Sequence, residues 1–445
     1  MANIKRIDGK TGTAFKITVT TGRGTDGKQV RHYMTWKPTA GMTERQIEQG
    51  FIADNRQTFA QYAEYVVKLK ERSGAKRRTA EWYRELLPRI NAAIGHLKLT
   101  DIRPQHLNQF YANMAEEGIR TAPVKATPKK DIAALMKAKK LSSAEIARSS
   151  GMAASTFRPA VHGQTVAKNT ADTLAVALGY KTETLFKLTQ DTSPLSARTI
   201  LGYHRLISAV LSQAEKEMLI PYNPAHRASP PKQERPETNS FQPEELARIL
   251  ECLEREPIKW RTITHLLIIT GCRRGEIMGL HWDAIDWKRQ QLRIDRALLY
   301  TAESGVYEDT TKTGETRFIK VPAETIQLLK LYRAYYDGLK VKNGDRWIES
   351  DYVFTRDDGG VMNPDNITQW LSNFAKKYDL PPIHPHKFRH TMASLLIYNG
   401  TDVLTVSKRL GHAQVSTTTD IYSHAIKEAD ERAAESIADV ILRRA

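Results

Sequence analysis

Six polar residues stand in a fixed order in the second half of the chain: Arg273, Lys312, His386, Arg389, His412 and Tyr422. Their types suit phosphoryl transfer on DNA without a metal. A tyrosine can act as nucleophile, but its unperturbed pKa of about 10 means it needs a proton acceptor and nearby cations. Two arginines can hold the non-bridging oxygens of one phosphate, and their planar forks fit that task better than lysine does. Charge accumulates on those oxygens in the transition state, so fixed cations stabilise it preferentially. Lysine and histidine supply proton transfer.

Each residue sits in a local phrase that predicts how it is held. Arg273 lies in Thr270-Gly271-Cys272-Arg273-Arg274-Gly275-Glu276, after the apolar run 266–269. That pattern predicts a buried helix entering a glycine turn where backbone passes close to a neighbour. Lys312 lies in Thr311-Lys312-Thr313-Gly314-Glu315, between β-type runs at 305–309 and 317–321, which predicts a hairpin loop. In His384-Pro385-His386-Lys387-Phe388-Arg389-His390, His386 and Arg389 are three apart and share a helix face. Leu410-Gly411-His412 precedes the Ser416–Thr419 run and Tyr422. Taken singly, an arginine pair at a helix connection, a solvated lysine and a tyrosine in a core are ordinary features. Four phrases in this order point jointly to chemistry. The histidines lack a supporting cysteine or carboxylate cluster, so no metal is expected.

On these phrases the chain resembles the tyrosine recombinases of the phage integrase family over roughly 236–445. The resemblance implies a role for each residue. Tyr422 would be the nucleophile, and Arg273 and Arg389 would bind the phosphate. Lys312 would protonate the leaving 5′-oxygen, His386 would assist proton transfer at the tyrosine, and His412 would hydrogen-bond the phosphate. Glu276 would steady the first arginine. The implied product is a 3′-phosphotyrosine link with a free 5′-hydroxyl, reversible without ATP, metal or other cofactor. Arg274 adjoins Arg273, and His384 and His390 flank His386. The family pattern picks Arg273 and His386, whereas local composition leaves those neighbours open.

The chain has 445 residues and a net charge of +17, unevenly spread. The first 192 residues hold thirty-two Lys/Arg against seventeen Asp/Glu, while the rest hold thirty-five against thirty-three. A DNA-gripping front attached to a nearly neutral catalytic part would produce that bias. Two cysteines far apart suit a reducing cytoplasm. There is no apolar run of about 18 residues and no secretory-type start, so a cytoplasmic location and no membrane partner are expected.

The expected fold is multidomain, mainly α with small β-sheets. Residues 1–56 carry β-type runs at 14–20 and 31–36 and a helix near 44–51, and resemble an arm-type DNA-binding module. Its candidate contacts are Lys16, Arg23, Arg31 and Tyr33. Residues 57–124 and 193–227 have helical apolar spacing and resemble two parts of a core-binding domain, with Arg77 and Arg78 toward DNA. Between them, 125–192 resembles an inserted helix-turn-helix domain of the Cro/repressor type. Its third helix, at 155–162, would offer Ser155, Thr156 and Arg158 to the major groove, although Pro159 sits inside it. The alternative is a helical bundle that makes protein contacts. A Pro-rich linker at 228–240 leads to an α+β catalytic domain at 241–445, ending in an amphipathic helix at 428–444. In this family such a tail docks on a neighbouring protomer, implying a tetramer on paired sites of double-stranded DNA. The expected function is an integrase that integrates or excises a prophage or mobile element, with accessory DNA-bending or excision factors as possible partners. Two alternatives stand beside it. A type IB topoisomerase-like enzyme would not need the arm-like module or the tail. A DNA-binding regulator with an inactive catalytic domain would not need all six residues.

Overall fold

A period-two alternation near the amino terminus folds as a three-stranded antiparallel sheet in chain order: β1 (Ala2–Gly9), β2 (Gly12–Arg23) and β3 (Gln29–Trp36). Sequence reading anticipates β2 and β3 but misses β1, where Lys5, Arg6 and Asp8 dilute the strand-forming Ile4 and Ile7. This computed structural model describes residues 2–9, 12–23, 29–36, 57–120, 123–233, 240–423 and 426. The helix expected near 44–51, most of the linker and the tail helix at 428–444 lie outside the described residues. The chain divides into two units, Met1–Glu234 and Arg235–Ala445.

The helical part of the first unit begins with α1 (Phe59–Arg72), whose start is fixed by reciprocal bonds between Thr58 and Gln61. Its Phe59, Tyr62, Ala63, Val66 and Val67 are all buried, as their spacing predicts. Next come α2 (Arg77–Ile94) and α3 (Pro104–Met114), the latter opened by a proline where no intrahelical N–H is lost.

The chain then makes a body with its own apolar core, from Ala126 through Phe157 and Leu174 to Phe186. It runs β4 (Lys125–Pro128), α4 (Ile132–Ala138), α5 (Ser143–Ser150), α6 (Arg158–Val161), β5 (Val166–Ala167), α7 (Lys168–Leu178), α8 (Thr182–Leu185) and β6 (Phe186–Thr189). The three strands form a small antiparallel sheet with β4 in the middle. One expectation changes here. The third helix does not run through 155–162. It breaks into a 3-10 turn at Ala154–Thr156 and the four-residue α6, with Pro159 in its first turn. Pro159 has no N–H to give to residue 155, so an α-helix cannot continue through that point.

α9 (Ala197–Lys216) returns to the core of α1–α3. Ile200, Leu206, Ile207, Val210 and Leu211 join Phe59, Leu87, Ile90 and Phe110 in one cluster. The Tyr62 hydroxyl donates to Glu217 at 2.8 Å, and the Tyr111 hydroxyl meets His204 Nδ1 at 2.9 Å, so polar groups also tie the two sequence pieces together. The 119–191 excursion starts and ends at one place. Gly118 N–H donates to the Thr192 carbonyl at 2.8 Å, and Arg120 pairs with Asp191. Replacing 119–191 by two glycines is therefore expected to leave the helical core folded, because the closure is already short and the excised core is self-contained. Thermal unfolding followed by circular dichroism checks this. Loss of the cooperative transition in the shortened chain would contradict it.

The second unit opens with α10 (Pro243–Leu253), α11 (Ile258–Thr270) and α12 (Arg274–Met278). Five strands follow: β7 (Ile285–Asp286), β8 (Gln291–Ile294), β9 (Arg296–Thr301), β10 (Gly305–Thr310) and β11 (Arg317–Lys320). They form two antiparallel sheets, β11-β8-β7 and β10-β9. The loop carrying Lys312 is therefore not a hairpin tip, because β10 pairs only with β9 and β11 crosses to β8. β8 and β9 part at Asp295, whose carboxylate accepts from Arg293 and Arg296. The stretch 311–316, turned at Gly314 (φ +73°), carries the chain from one sheet to the other. The remaining helices are α13 (Ala323–Asn343), α14 (Asp365–Lys377), α15 (Pro385–Tyr398) and α16 (Val403–Leu410), and residues 415–423 are helical.

Candidate active site

α11 is buried on nearly every side, and it stops at Gly271, which takes the left-handed conformation (φ +62°). A Cβ there would lie 2.0 Å from Met392 Cε, so glycine serves both the turn and the close approach of α15. The chain then extends through Cys272, and Arg273 caps α12. Its N–H donates to Glu276 Oε2 (2.9 Å) and its Nη1 donates to Glu276 Oε1 (2.8 Å). Glu276 is buried and shared, since Arg317 Nη2 reaches its Oε2 at 2.5 Å. Burial alone would push the Glu276 carboxyl up, but Arg317 and then Arg273 overcome this and hold it below the ordinary range.

Arg389, on α15, is buried and nested between two carbonyls. Its Nη1 donates to Gly271 (2.8 Å) and its Nη2 to Leu410 (2.7 Å). Arg273 Nη2 reaches the next carbonyl, Gly411, at 3.3 Å. Both guanidinium groups therefore meet at the same two loops, 271–273 and 410–411. Each nitrogen of the Arg389 fork keeps a second N–H for another acceptor. Burial, and then the Arg273 charge, lower Arg389 to about 10, which leaves it charged at neutral pH.

Tyr422 is buried against Met392, Ala393, Ile397, Val406 and Leu410. Burial pushes its phenol up to about 12, while Arg389 pulls the other way. Its hydroxyl lies 3.0 Å from Nδ1 of His390, not of His386, and the two rings are 5.7 Å apart. Burial, then His386 and Arg389, bring His390 down to about 4. His386 is partly exposed, and the burial of the rest of its ring, followed by Arg389, lowers its pKa too.

His412 follows the left-handed Gly411 that ends α16, and its Nδ1 lies 2.8 Å from Thr418 Oγ1. Burial, then Arg389 and Arg273, bring it down to about 4. The folded pKa lies below the unfolded value of about 6.5, so the unfolded chain binds more protons between those values. Stability is expected to rise with pH from about 4 to 6.5. Melting curves at pH 5 and 7 check this, and His412→Gln should show a shallower pH dependence than the parent. Equal dependence in the two proteins would remove His412 as a cause. Lys312 is exposed in the turn between β10 and β11.

This arrangement can hold an anion between two fixed guanidinium groups beside a phenol that has a nitrogen partner. Residues 239–429 match the phage integrase family. A XerC-like tyrosine recombinase of Caldanaerobacter subterraneus is 28% identical over 265 residues, covering 56% of this chain and 67% of the relative. The ICEBs1 integrase of Bacillus subtilis is 24% identical over 247 residues, with the same coverage of each. The fold resembles that of the Tn1549 transposon integrase, solved with transposon right end DNA. The TM-score is 0.57 at 17% identity, covering 86% of this chain and all of that one.

Residues 239–429 are a phage integrase family domain, and the chain is a tyrosine recombinase. It is therefore an enzyme that breaks and rejoins DNA strands. Among the described residues of this recombinase, no helix is long and apolar enough to cross a membrane, and no group of three or more His, Cys, Asp or Glu could hold a metal ion. Cys252 and Cys272 are free and buried.

The structure gathers Arg273, Glu276, Arg389, His412 and Tyr422 around the two loops, and leaves Lys312 on an exposed turn. The residues expected at DNA lie on other elements of the recombinase. Lys16 pairs in register with Lys5 and Thr35, Tyr33 with Thr18, Arg31 with Thr20 and Arg23 with Gln29, which places these positions on one face of the first sheet. Arg77 and Arg78 are exposed at the start of α2, where Arg78 pairs with Glu85 at 3.4 Å. Ser155 and Arg158 are exposed and Thr156 is half-buried, but on the broken segment rather than on one helix. Sequence reading missed two site residues, Arg317 and His390. Arg317 reads as an ordinary strand residue. His390 was visible only as a neighbour of His386, and its place four residues on, one helical turn along the same face, is the signal that could have found it.

Proposed function

We propose that this recombinase is an integrase of a mobile element, cutting and rejoining double-stranded DNA through a 3′-phosphotyrosine intermediate at Tyr422. The observation that carries the reading is the meeting of Arg273 and Arg389 at the carbonyls of 271 and 410–411, next to the Tyr422 hydroxyl. Two cations locked by carbonyls and by Glu276 are preorganised for a phosphate whose charge grows in the transition state. In this reading Lys312 protonates the leaving 5′-oxygen from its exposed turn, which closes on bound DNA. His412 bonds the phosphate, and no cofactor takes part.

The front of the chain would select the sites. The first sheet presents Lys16, Arg23, Arg31 and Tyr33 as an arm-type module, and the α1–α3 and α9 core presents Arg77 and Arg78. Its excess of positive charge suits that task. The 125–192 body would bind near the same DNA, with Ser155, Thr156 and Arg158 approaching it from a short segment. The tail would link protomers into a tetramer on paired sites, with accessory bending or excision factors setting direction. The names of two relatives, the ICEBs1 integrase and the integrase of Staphylococcus phage L54a, support a mobile-element role, and the DNA-bound Tn1549 integrase supports duplex DNA as the partner.

The test is incubation with nicked duplexes that carry candidate attachment sites. A detergent-resistant 3′-linked adduct together with joined products is expected. Absence of any adduct would overturn the reading. An adduct without exchange between two sites would point instead to a strand-relaxing, topoisomerase-like enzyme.

A further inference from the structure

Tyr422 is the attacking group in the proposed reaction, and its hydroxyl already has a partner in the folded chain. His390 Nδ1 is 3.0 Å away, close enough for direct proton transfer. His390 sits on α15 one residue after Arg389 and four after His386. One helix therefore aligns three groups in order: His386 at the exposed edge, the Arg389 fork at the two loops, and His390 against the tyrosine. The apolar cluster of Met392, Ala393, Ile397, Val406 and Leu410 closes round Tyr422, and the tyrosine is only 3% exposed, so bulk water is a poor competitor for its proton.

We propose that His390 is the group that accepts the Tyr422 proton during strand cleavage, while His386 is left to the phosphate. This rests on the reading of Tyr422 as nucleophile. The step balances within the site. The Tyr422 O–H proton moves to His390 Nδ1 as the phenolic oxygen bonds to phosphorus. The bond from phosphorus to the 5′-oxygen breaks, and that oxygen takes a proton from Lys312. In rejoining, the 5′-hydroxyl returns its proton to Lys312, and His390 returns its own to the phenolic oxygen.

The electrostatics favour a concerted transfer. The groups facing His390 are His384, His386 and Arg389 from its own helix, Tyr422 from 415–423 and His412 from beyond α16. Burial, then His386 and the Arg389 charge, keep the imidazole neutral at physiological pH, which is the form that can accept. The phenol lies far above it, so in the free protein the proton stays on Tyr422. A DNA phosphate drawn in by Arg273 and Arg389 adds negative charge beside His390, raising its affinity for the proton where the nucleophile is needed. The free enzyme thereby keeps its nucleophile silent.

The test uses the full chain on nicked duplexes with either a normal phosphodiester or a 5′-bridging phosphorothiolate at the cleaved bond. The sulfur leaves as a thiolate and needs no proton. His390→Ala is expected to slow adduct formation about 10²–10⁴-fold on both substrates. Lys312→Ala should be slow on the normal substrate and recover on the sulfur one. With His390→Ala, the rate on the sulfur substrate should climb about tenfold per pH unit between pH 6 and 9, as hydroxide replaces the missing base, while the parent stays nearly flat. His390→Gln, whose amide can still bond the hydroxyl, separates catalysis from packing and is expected to restore the melting temperature but not the rate. The proposal is overturned if the Gln variant recovers cleavage, if sulfur rescues the Ala variant, or if the Ala variant matches the parent. If the parent itself forms no adduct, the underlying reading of Tyr422 fails, which is a different result.

Discussion

Tyr422→Phe is expected to abolish the covalent protein–DNA adduct while leaving duplex binding and the fold intact. The substitution removes one oxygen and keeps the ring that packs on Met392, Ile397 and Leu410. What the fold loses is one hydrogen bond to a neutral imidazole, a net change of about 0.5–1.5 kcal/mol. His390 keeps solvent access from its half-exposed edge, so no unsatisfied charge is left behind. The phosphate would still be held by Arg273 and Arg389, because their anchors at Gly271, Leu410, Gly411 and Glu276 do not involve the hydroxyl. Binding by mobility shift should therefore stay within a few-fold of the parent, with no band surviving detergent. An adduct formed at the parental rate would show that another residue attacks, and the assignment of the nucleophile would fall.

The catalytic half was the more legible part of the sequence, for a physical reason. Its side chains are held by backbone carbonyls at glycine-ended helices, and such endings are written locally: Gly271 after Thr270, and Gly411 after Leu410. Arg389 could be named from its phrase, three residues after His386, while its bridging of the Gly271 and Leu410 carbonyls appears only in the fold. Arg317 could not, because its importance comes from a carboxylate forty-one residues away and nothing in Arg317-Phe318-Ile319-Lys320 marks it apart from any other strand. The choice between His386 and His390 also exceeded local composition. Both lie on one helical face, and only the packing of 415–423 decides which one meets the hydroxyl. The hairpin expected around Lys312 failed because strand pairing is non-local. β8 had a free edge, and β11 took it. In the front half, β1 was hidden by its charged residues. The third helix of the 125–192 body was overridden by one proline, whose effect outweighs the helix-forming residues round it.

Glu276→Gln is expected to be the most destabilising single-atom change in the site, at about 3–5 kcal/mol. The side chain is 1% exposed and carries the negative charge that contacts both Arg273, at 2.8 Å, and Arg317, at 2.5 Å. Arg317 is itself only 10% exposed, so neutralising the carboxylate strands a cation with no water to solvate it. The amide would also point N–H groups at N–H donors. In a domain of this size the loss corresponds to roughly 6–20 °C in melting temperature. Adduct formation should fall as well, because Arg273 loses the bond that aims its fork and misplacement of a positioning group costs on the order of 10²-fold. The pH dependence has a definite sign. The folded pKa of Glu276 is depressed, so its stabilisation is present above the unfolded value near 4.5 and is lost as pH falls through the folded value. A double-mutant cycle separates pair from packing. Arg317→Met alone should also be costly, yet Arg317→Met combined with Glu276→Gln should cost less than the two losses added, because each removes the other's stranded charge. Simple additivity, or a Glu276→Gln protein within about 1 kcal/mol of the parent, would mean that Arg317 and Glu276 do not depend on each other. The framework of the phosphate site would then have to be sought in the carbonyls of Gly271, Leu410 and Gly411 alone.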